Sequence, residues 1–353
     1  MAGWSAEEME RPVPADQVAP EGREVFISIR GLHKRFGPRH ILRGIDLDVG
    51  KGETVVILGL SGSGKTTLIK HLMLSLPVDE GAVRVGRFDL ARLSTDDREA
   101  YRGGMGVVFQ HAALLGSLTV EENVGLPLVE VERLPTEAVR PRVVAALKRV
   151  FLPAEEILHL KPDSLSGGMR RRLLVAKALV HSPPVVVLDE PTAGVDVELR
   201  RSLWSYMRSL NAQGVTVVLT THYLEEAEAL CDRLAIIDHG QVVAVGATRE
   251  LLARLDEKEL HLTPTGRLDE LPAALRELGA ELLEDGRIRV RYRPSRADVG
   301  AILERARQAG IGIRDLATSE ADLEELFLRL TASRSPALLQ GARRGAVLGE
   351  ETV

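Results

Sequence analysis

Residues 59–67 read GLSGSGKTT; the apolar run ETVVIL precedes them and the segment LIKHLM follows. A buried strand, a loop of the form GxxxxGK[ST] and a helix make one supersecondary unit, which calls for a sheet covered by helices. Gly59, Gly62 and Gly64 let backbone N–H groups wrap phosphate oxygens, with Ser61, Ser63 and Thr67 as further candidate contacts. Lys65 is placed to reach the β and γ phosphates, and Thr66 offers a hydroxyl to Mg²⁺.

An ATP site of this kind needs acidic groups at a neighbouring strand end. PPVVVLDEP and VTVVLTTH are two more β-branched runs that close on polar residues, as buried parallel strands do where their C-terminal ends carry a site. Asp189 can hold Mg²⁺ through water, and Glu190 can orient or deprotonate the attacking water. A DE pair after an apolar run is commonplace alone; beside the phosphate loop it completes a nucleotide site.

Composition excludes several classes. The net charge of -5 and pI near 6.1 give no electrostatic reason to expect a nucleic-acid partner. No run of about 18 apolar residues occurs, so no spanning helix is expected and any membrane role comes through a partner. The single cysteine, Cys231, lies in EEAEALCDRL, which reads as helical, and a buried thiol is expected there.

Four regions follow along the chain. Residues 1–24 are acidic and proline-containing and read as a disordered extension. Residues 25–255 form the α/β nucleotide-binding unit, with an inserted, mostly helical subdomain at about 91–180. Residues 256–332 alternate strand and helix patterns and form a small α/β appendage. Residues 333–353, rich in Ala, Gly and Arg, read as a flexible tail.

A second glycine loop, SLSGGMRRR at 164–172, runs into a helix without a lysine. Ser166, Gly167 and Gly168 at a helix N-terminus suit an anion held mainly by something else. Here the sequence resembles the nucleotide-binding subunits of ABC transporters, whose signature is LSGG. The resemblance covers about residues 25–250 and implies a P-loop NTPase core that hydrolyses ATP. It implies a head-to-tail homodimer in the ATP-bound state, each signature closing over the partner's phosphate loop. It implies integral-membrane permease partners and a peripheral location on the cytoplasmic side of the cell membrane. Carried over by position, Phe36 in KRFG stacks on adenine, where Tyr is commoner. Gln110 in VVFQ senses Mg²⁺ and the attacking water. His222 in TTHY contacts the γ-phosphate, and Asp196 in AGVD lies on the dimer-facing loop. Met169 replaces the commoner glutamine of the signature and Val195 the usual leucine.

What such an ATPase drives is read from longer stretches. MGVVFQHAALLGSLTVEENVGLPL resembles ATPases of Mla-type lipid transport systems. LSGGMRRRLLVAKALV, LDEPTAGVDVELRRSLW and LTTHYLEEAEALCDRLAIIDHG resemble those of ABC-2 type exporters, and SEADLEELFLRLT resembles that family's closing segment. The exporter resemblance is longer, so export is expected, with lipid transport as the alternative. ABC ATPases acting on DNA or ribosomes are a third class; they usually carry long coiled coils, zinc cysteines or two ATPase units, whereas this chain has one unit, one cysteine and no sustained heptads. The permease surface is expected beside Gln110 in HAALLGSLTVEENVGLPLV, with about half of its apolar residues in the core. The basic strand RIRVRYRPSR could face nucleic acid or acidic lipid, although alternating charge on a strand is ordinarily a solvated face.

Overall fold

The computed structural model describes residues 22–109, 114–253, 258–268, 270–293, 297–320 and 323–332. Gln110, residues 1–21 of the N-terminal extension and the tail beyond 332 lie outside the described residues. The chain forms two compact units that divide between Ala247 and Thr248, eight residues before the boundary expected from sequence.

In the first unit, β1 (Val25–Phe36), β2 (Arg39–Gly50), β4 (Glu80–Val85) and β5 (Phe88–Asp89) form an antiparallel sheet in the order β2-β1-β4-β5. A second sheet has the order β10-β9-β3-β8-β7-β6. Its strands are β3 (Thr54–Leu58), β6 (Met105–Val108), β7 (Val185–Asp189), β8 (Thr216–Thr221), β9 (Arg233–Asp238) and β10 (Gln241–Gly246). All neighbours pair in parallel except β10 with β9. Every residue of β3, β7, β8 and β9 is buried, as continuous β-branched runs require when a sheet is covered on both faces. A single core of Ile27, Ile29 and Leu42 from one sheet with Val55, Ile57 and Val187 from the other joins the two. Buried Glu53 also links them: it pairs with Arg233 at 3.1 Å and accepts from Gly50 N at 2.6 Å.

Helices α1 (Lys65–Leu72) and α2 (Thr95–Gly103) belong to this core, the latter capped by Ser94, whose hydroxyl accepts from Asp97 N at 3.1 Å. Tyr101 of α2 is fully buried and donates to Leu72 O at 2.6 Å. The helical insertion holds α3 (Val120–Glu130), α4 (Thr136–Arg149), α5 (Ala154–Ile157) and α6 (Gly167–Leu179). A capping box of Thr119 and Glu122 starts α3, and buried Asn123 ties the preceding turn through Leu115 N and the carbonyls of Leu115, Leu118 and Thr119. Gly125 admits α4 closely, since a Cβ there would stand 2.7 Å from Val139 Cγ1. Val120, Val124 and Leu128 are core residues, while Leu115 and Val129 are exposed.

Two sequence expectations need correction. The stretch 91–180 is less helical than expected, because β6 inside it is a strand of the parallel sheet; four residues after a Gly-Gly pair are too short to show a period. Cys231 is half-buried and lies one residue past α8 (Leu224–Leu230), not inside a helix. Helix α7 (Val197–Ala212) also belongs to the first unit.

The second unit starts with α9 (Thr248–Ala253) and then runs β11 (Lys258–Pro264), α10 (Ala273–Arg276), β12 (Ala280–Leu282), β13 (Ile288–Tyr292), α11 (Val299–Gln308) and β14 (Ile313–Glu320). The sheet is antiparallel in the order β12-β13-β11-β14, so this βαββαβ succession is ferredoxin-like. Leu260, Leu262, Ile288, Val290, Ile302 and Ala306 form its core. The last helix among the described residues, α12 (Leu323–Ala332), packs on α9. On β13, Arg289 pairs with Glu281 and Arg291 pairs with Glu259 at 2.8 Å. The charge of the RIRVRY strand is therefore largely balanced by neighbouring strands, as a solvated face would have it.

Candidate active site

The phosphate loop leaves the C-terminal end of β3, flanked by β8 and β9. Glycine is demanded at Gly59, where a Cβ would stand 2.4 Å from Ile237 O, and at Gly64, where φ is +109°. Ser61 and Gly62 are exposed, and Ser63 is buried with its Oγ unpartnered among the described residues. Lys65 is only 6% exposed and donates from Nζ to Gly59 O at 2.8 Å and Leu60 O at 3.0 Å. Burial lowers its pKa, opposed by the negative charge of Glu190 and Asp189. Thr67 is half-buried one position beyond Thr66.

The acidic pair ends β7 alongside this loop. Asp189, 3% exposed, accepts from Thr66 Oγ1 at 3.3 Å and from Thr220 Oγ1 at 2.5 Å. Glu190 has φ of +49°, uncommon outside glycine. Its N–H donates to Thr220 O at 3.1 Å and Thr220 Oγ1 at 3.2 Å. His222 Nδ1 lies 3.2 Å from Glu190 Oε1, with the imidazole side chain 46% exposed. Lys65, Thr66, Asp189, Glu190 and His222 thus converge around one strand end, although they are spread over about 160 positions of sequence.

The donor set fits a nucleoside triphosphate. A buried hydroxyl without a partner and an ammonium resting on loop carbonyls are groups that a phosphate would satisfy, and at Gly62, where a Cβ would meet nothing within 4 Å, the loop backbone is open to it. Among the described residues no cluster of three or more His, Cys, Asp or Glu side chains could hold a metal alone. Thr66 and Asp189 offer two oxygen ligands, which suits Mg²⁺ shared with phosphates.

Other candidate residues stand apart from this cluster. Phe36 ends β1 at 47% exposure, with Lys34 Nζ 5.7 Å from its ring centroid. Ser166 caps α6, accepting from Met169 N at 3.3 Å, and Ser166 and Gly167 are exposed. Asp196 caps α7 by accepting from Leu199 N at 3.0 Å. The segments carrying the two caps approach at Gly168, where a Cβ would stand 3.9 Å from Gly194 O. The cap hydrogen bonds of Ser166 and Asp196 are local, and a Cβ on Gly167 would meet nothing of this chain within 4 Å.

Three residues of the site escaped the sequence reading. Thr220 holds both acidic residues. Arg171 of α6 donates to the carbonyls of Glu190, Asp189 and Phe109; burial lowers its pKa while Glu190, Asp189 and Glu226 oppose that shift. Glu226, fully buried, accepts from Thr192 Oγ1 at 2.8 Å and Trp204 Nε1 at 3.1 Å, bracing the turn that leads to Asp196. RRR after the signature was the only available signal for Arg171, and it did not say which arginine turns inward.

A family model described as ABC transporter matches residues 42–193. The chain is 36% identical over 311 residues to the daunorubicin resistance ATP-binding protein DrrA3 of Streptomyces coeruleorubidus, covering 87% of this chain and 96% of that one. It is 36% identical over 321 residues to the Nod factor export ATP-binding protein I of Ralstonia nicotianae, covering 88% and 95%. The methionine import ATP-binding protein MetN of the same organism is 35% identical over 272 residues, covering 72% and 77%. Among solved structures, the dimeric bacterial ABC transporter cassette MJ0796 superposes with a TM-score of 0.60 at 31% identity, covering 63% of this chain and 98% of that one.

Proposed function

The chain belongs to the ABC transporter ATP-binding family, whose members bind and hydrolyse ATP to power transport, and on that premise we propose that it drives an exporter. The extent of the match carries this reading. Similarity to the Nod factor export protein runs through 88% of the chain, against 72% for the methionine importer of the same organism, so the exporter likeness takes in more of the chain.

In this reading two copies pair head to tail, each presenting Ser166, Gly167 and Gly168 to the γ-phosphate on its partner's phosphate loop, with Asp196 beside the seam. Phe36 stacks on adenine. Gly59 to Thr67 enclose the phosphates and Lys65 neutralises them. Thr66 and Asp189 hold Mg²⁺, which when bound screens the phosphate charge. Glu190 takes the proton of the attacking water while His222 steadies the γ-phosphate. Gln110 is assigned the sensing of the metal and water by the family resemblance alone.

The permease docks in a groove of about 590 Å³ between the core and the helical insertion, whose walls include Tyr101, Phe109, Leu126, Pro127, Val131 and Ala178. No helix among the described residues is long and apolar enough to cross a membrane. In this reading the transported molecule passes through that partner, and the chain docks on its cytoplasmic side. Purification of the tagged chain from detergent-solubilised membranes of its native host, followed by mass spectrometry, tests this. A single multi-pass permease is expected. A permease with a lipid-shuttle protein would indicate lipid transport instead, and recovery of soluble or nucleic-acid-associated proteins alone would overturn the exporter reading.

A further inference from the structure

Glu190 occupies the left-handed region, at φ of +49°. A non-glycine residue there costs on the order of 1–3 kcal/mol and persists only where its surroundings over-determine it. Two residues do so here. Thr220, from the core sheet, holds the N–H through its carbonyl at 3.1 Å and its hydroxyl at 3.2 Å. Arg171 holds the carbonyl from the opposite side, through Nη2. Both peptide groups flanking the carboxylate are therefore fixed, one by the core and one by the helical insertion.

The same guanidinium reaches Asp189 O and Phe109 O, each at 3.4 Å. One side chain thus touches the residue before Gln110 and both acidic residues. A planar fork of five donors can serve three carbonyls at once, and a lysine ammonium has no comparable geometry. Arg171 also lies five residues beyond Ser166 on α6, about 7 Å down the axis at 1.5 Å per residue. The exposed signature and the guanidinium are consequently two points on one rigid helix, and a shift of that helix moves both.

We propose that Arg171 is a positioning residue for hydrolysis, aligning Glu190 through its backbone carbonyl so that the attacking geometry depends on where the signature helix sits. This rests on the assignment of Glu190 as the base. Closure of the signature over a partner's nucleotide would carry Arg171 with it and bring the carboxylate into line; withdrawal would relax it. Lys65, Ser63 and Thr66 contact the phosphates independently of Arg171, so nucleotide affinity should not share this dependence.

The test is steady-state ATP hydrolysis by the purified full-length chain carrying Arg171→Ala or Arg171→Lys, with ATP affinity measured separately using a fluorescent nucleotide. Arg171→Ala is expected to lower kcat on the order of 100-fold, as a misplacement near 1 Å can do, with ATP affinity changed less than about threefold. Millimolar guanidinium should restore part of that kcat, whereas a purely structural role would not respond to it. Arg171→Lys keeps the charge and stem and decides the matter if the alanine variant does not fold; its kcat should fall at least about tenfold with affinity retained. Glu190→Gln serves as the separate control. If it stays active, the base assignment fails; if it is inactive while the folded Arg171 variants keep wild-type kcat, or lose ATP affinity in parallel with kcat, the positioning role is overturned.

Discussion

Thr220 and Asp189 share a short hydrogen bond in the nucleotide site, 2.5 Å from the Thr220 hydroxyl to Asp189 Oδ1, and the same hydroxyl accepts from Glu190 N at 3.2 Å. One buried threonine on β8 thereby orders both acidic residues at the end of β7. Thr220→Val keeps the shape and removes the hydroxyl, leaving the Asp189 carboxylate short of a donor. The variant should lose about 1–3 kcal/mol of stability and about tenfold in kcat. Chemical denaturation and initial rates of phosphate release measure the two losses, and an unchanged kcat would remove Thr220 from the working site.

Glu190→Gln separates chemistry from closure. The amide keeps the size of the side chain and loses the base, so turnover should fall by at least about 100-fold. The phosphate contacts remain, so ATP should hold the variant as a dimer, visible as a doubled mass in light scattering. A monomer under saturating ATP would contradict the bridging role given to the γ-phosphate.

Exposure of Ser166 and Gly167 away from this chain's own phosphate loop leads to a complementation test. Lys65→Ala disables the loop and Ser166→Arg disables the signature, so each variant alone should be inactive. Mixed together, they form heterodimers with one composite site intact and one doubly damaged, and activity should return. No activity in the mixture would mean that each site is built within one chain, and normal activity of Ser166→Arg alone would remove the signature from the site.

Burial pushes the His181 imidazole down from its ordinary 6.5 to about 4, opposed by the Met105 carbonyl 3.2 Å away and reinforced by Arg142. The folded chain binds this proton less readily than the unfolded one, so the stabilisation is complete above about pH 6.5. It is lost as pH falls through the window from 6.5 to 4. By pH 5 this amounts to about 2 kcal/mol. His181→Gln, whose amide can still donate to Met105 O, should flatten the fall in unfolding free energy between pH 7 and 5 relative to the parent. Parallel pH profiles would show that His181 is not the group concerned.

Local chemistry was enough to read the phosphate loop, the strand-end acids and the signature helix, because each depends on residues within about a turn of one another. The short strand β6 was not legible, since MGVV has no period of its own and gains its place only by pairing with Val185–Leu188. The order β12-β13-β11-β14 was equally hidden, because strand neighbours are chosen by packing between distant segments.

By itself the sequence determined the chemistry this protein is equipped for: backbone amides and Lys65 for phosphate, Thr66 and Asp189 for a hard cation, Glu190 for a proton. Those properties belong to residue types and their spacing, and they survive any arrangement that forms the strand, loop and helix. Tertiary structure alone decided how that chemistry is aimed. Thr220 lies 30 positions from Glu190 and Arg171 lies 19 before it, and they meet its two flanking peptides only because β7, β8 and α6 are folded against one another. Hydrogen bonds act over about 3 Å whatever the distance along the chain, so the clamp on Glu190 exists only in the folded protein.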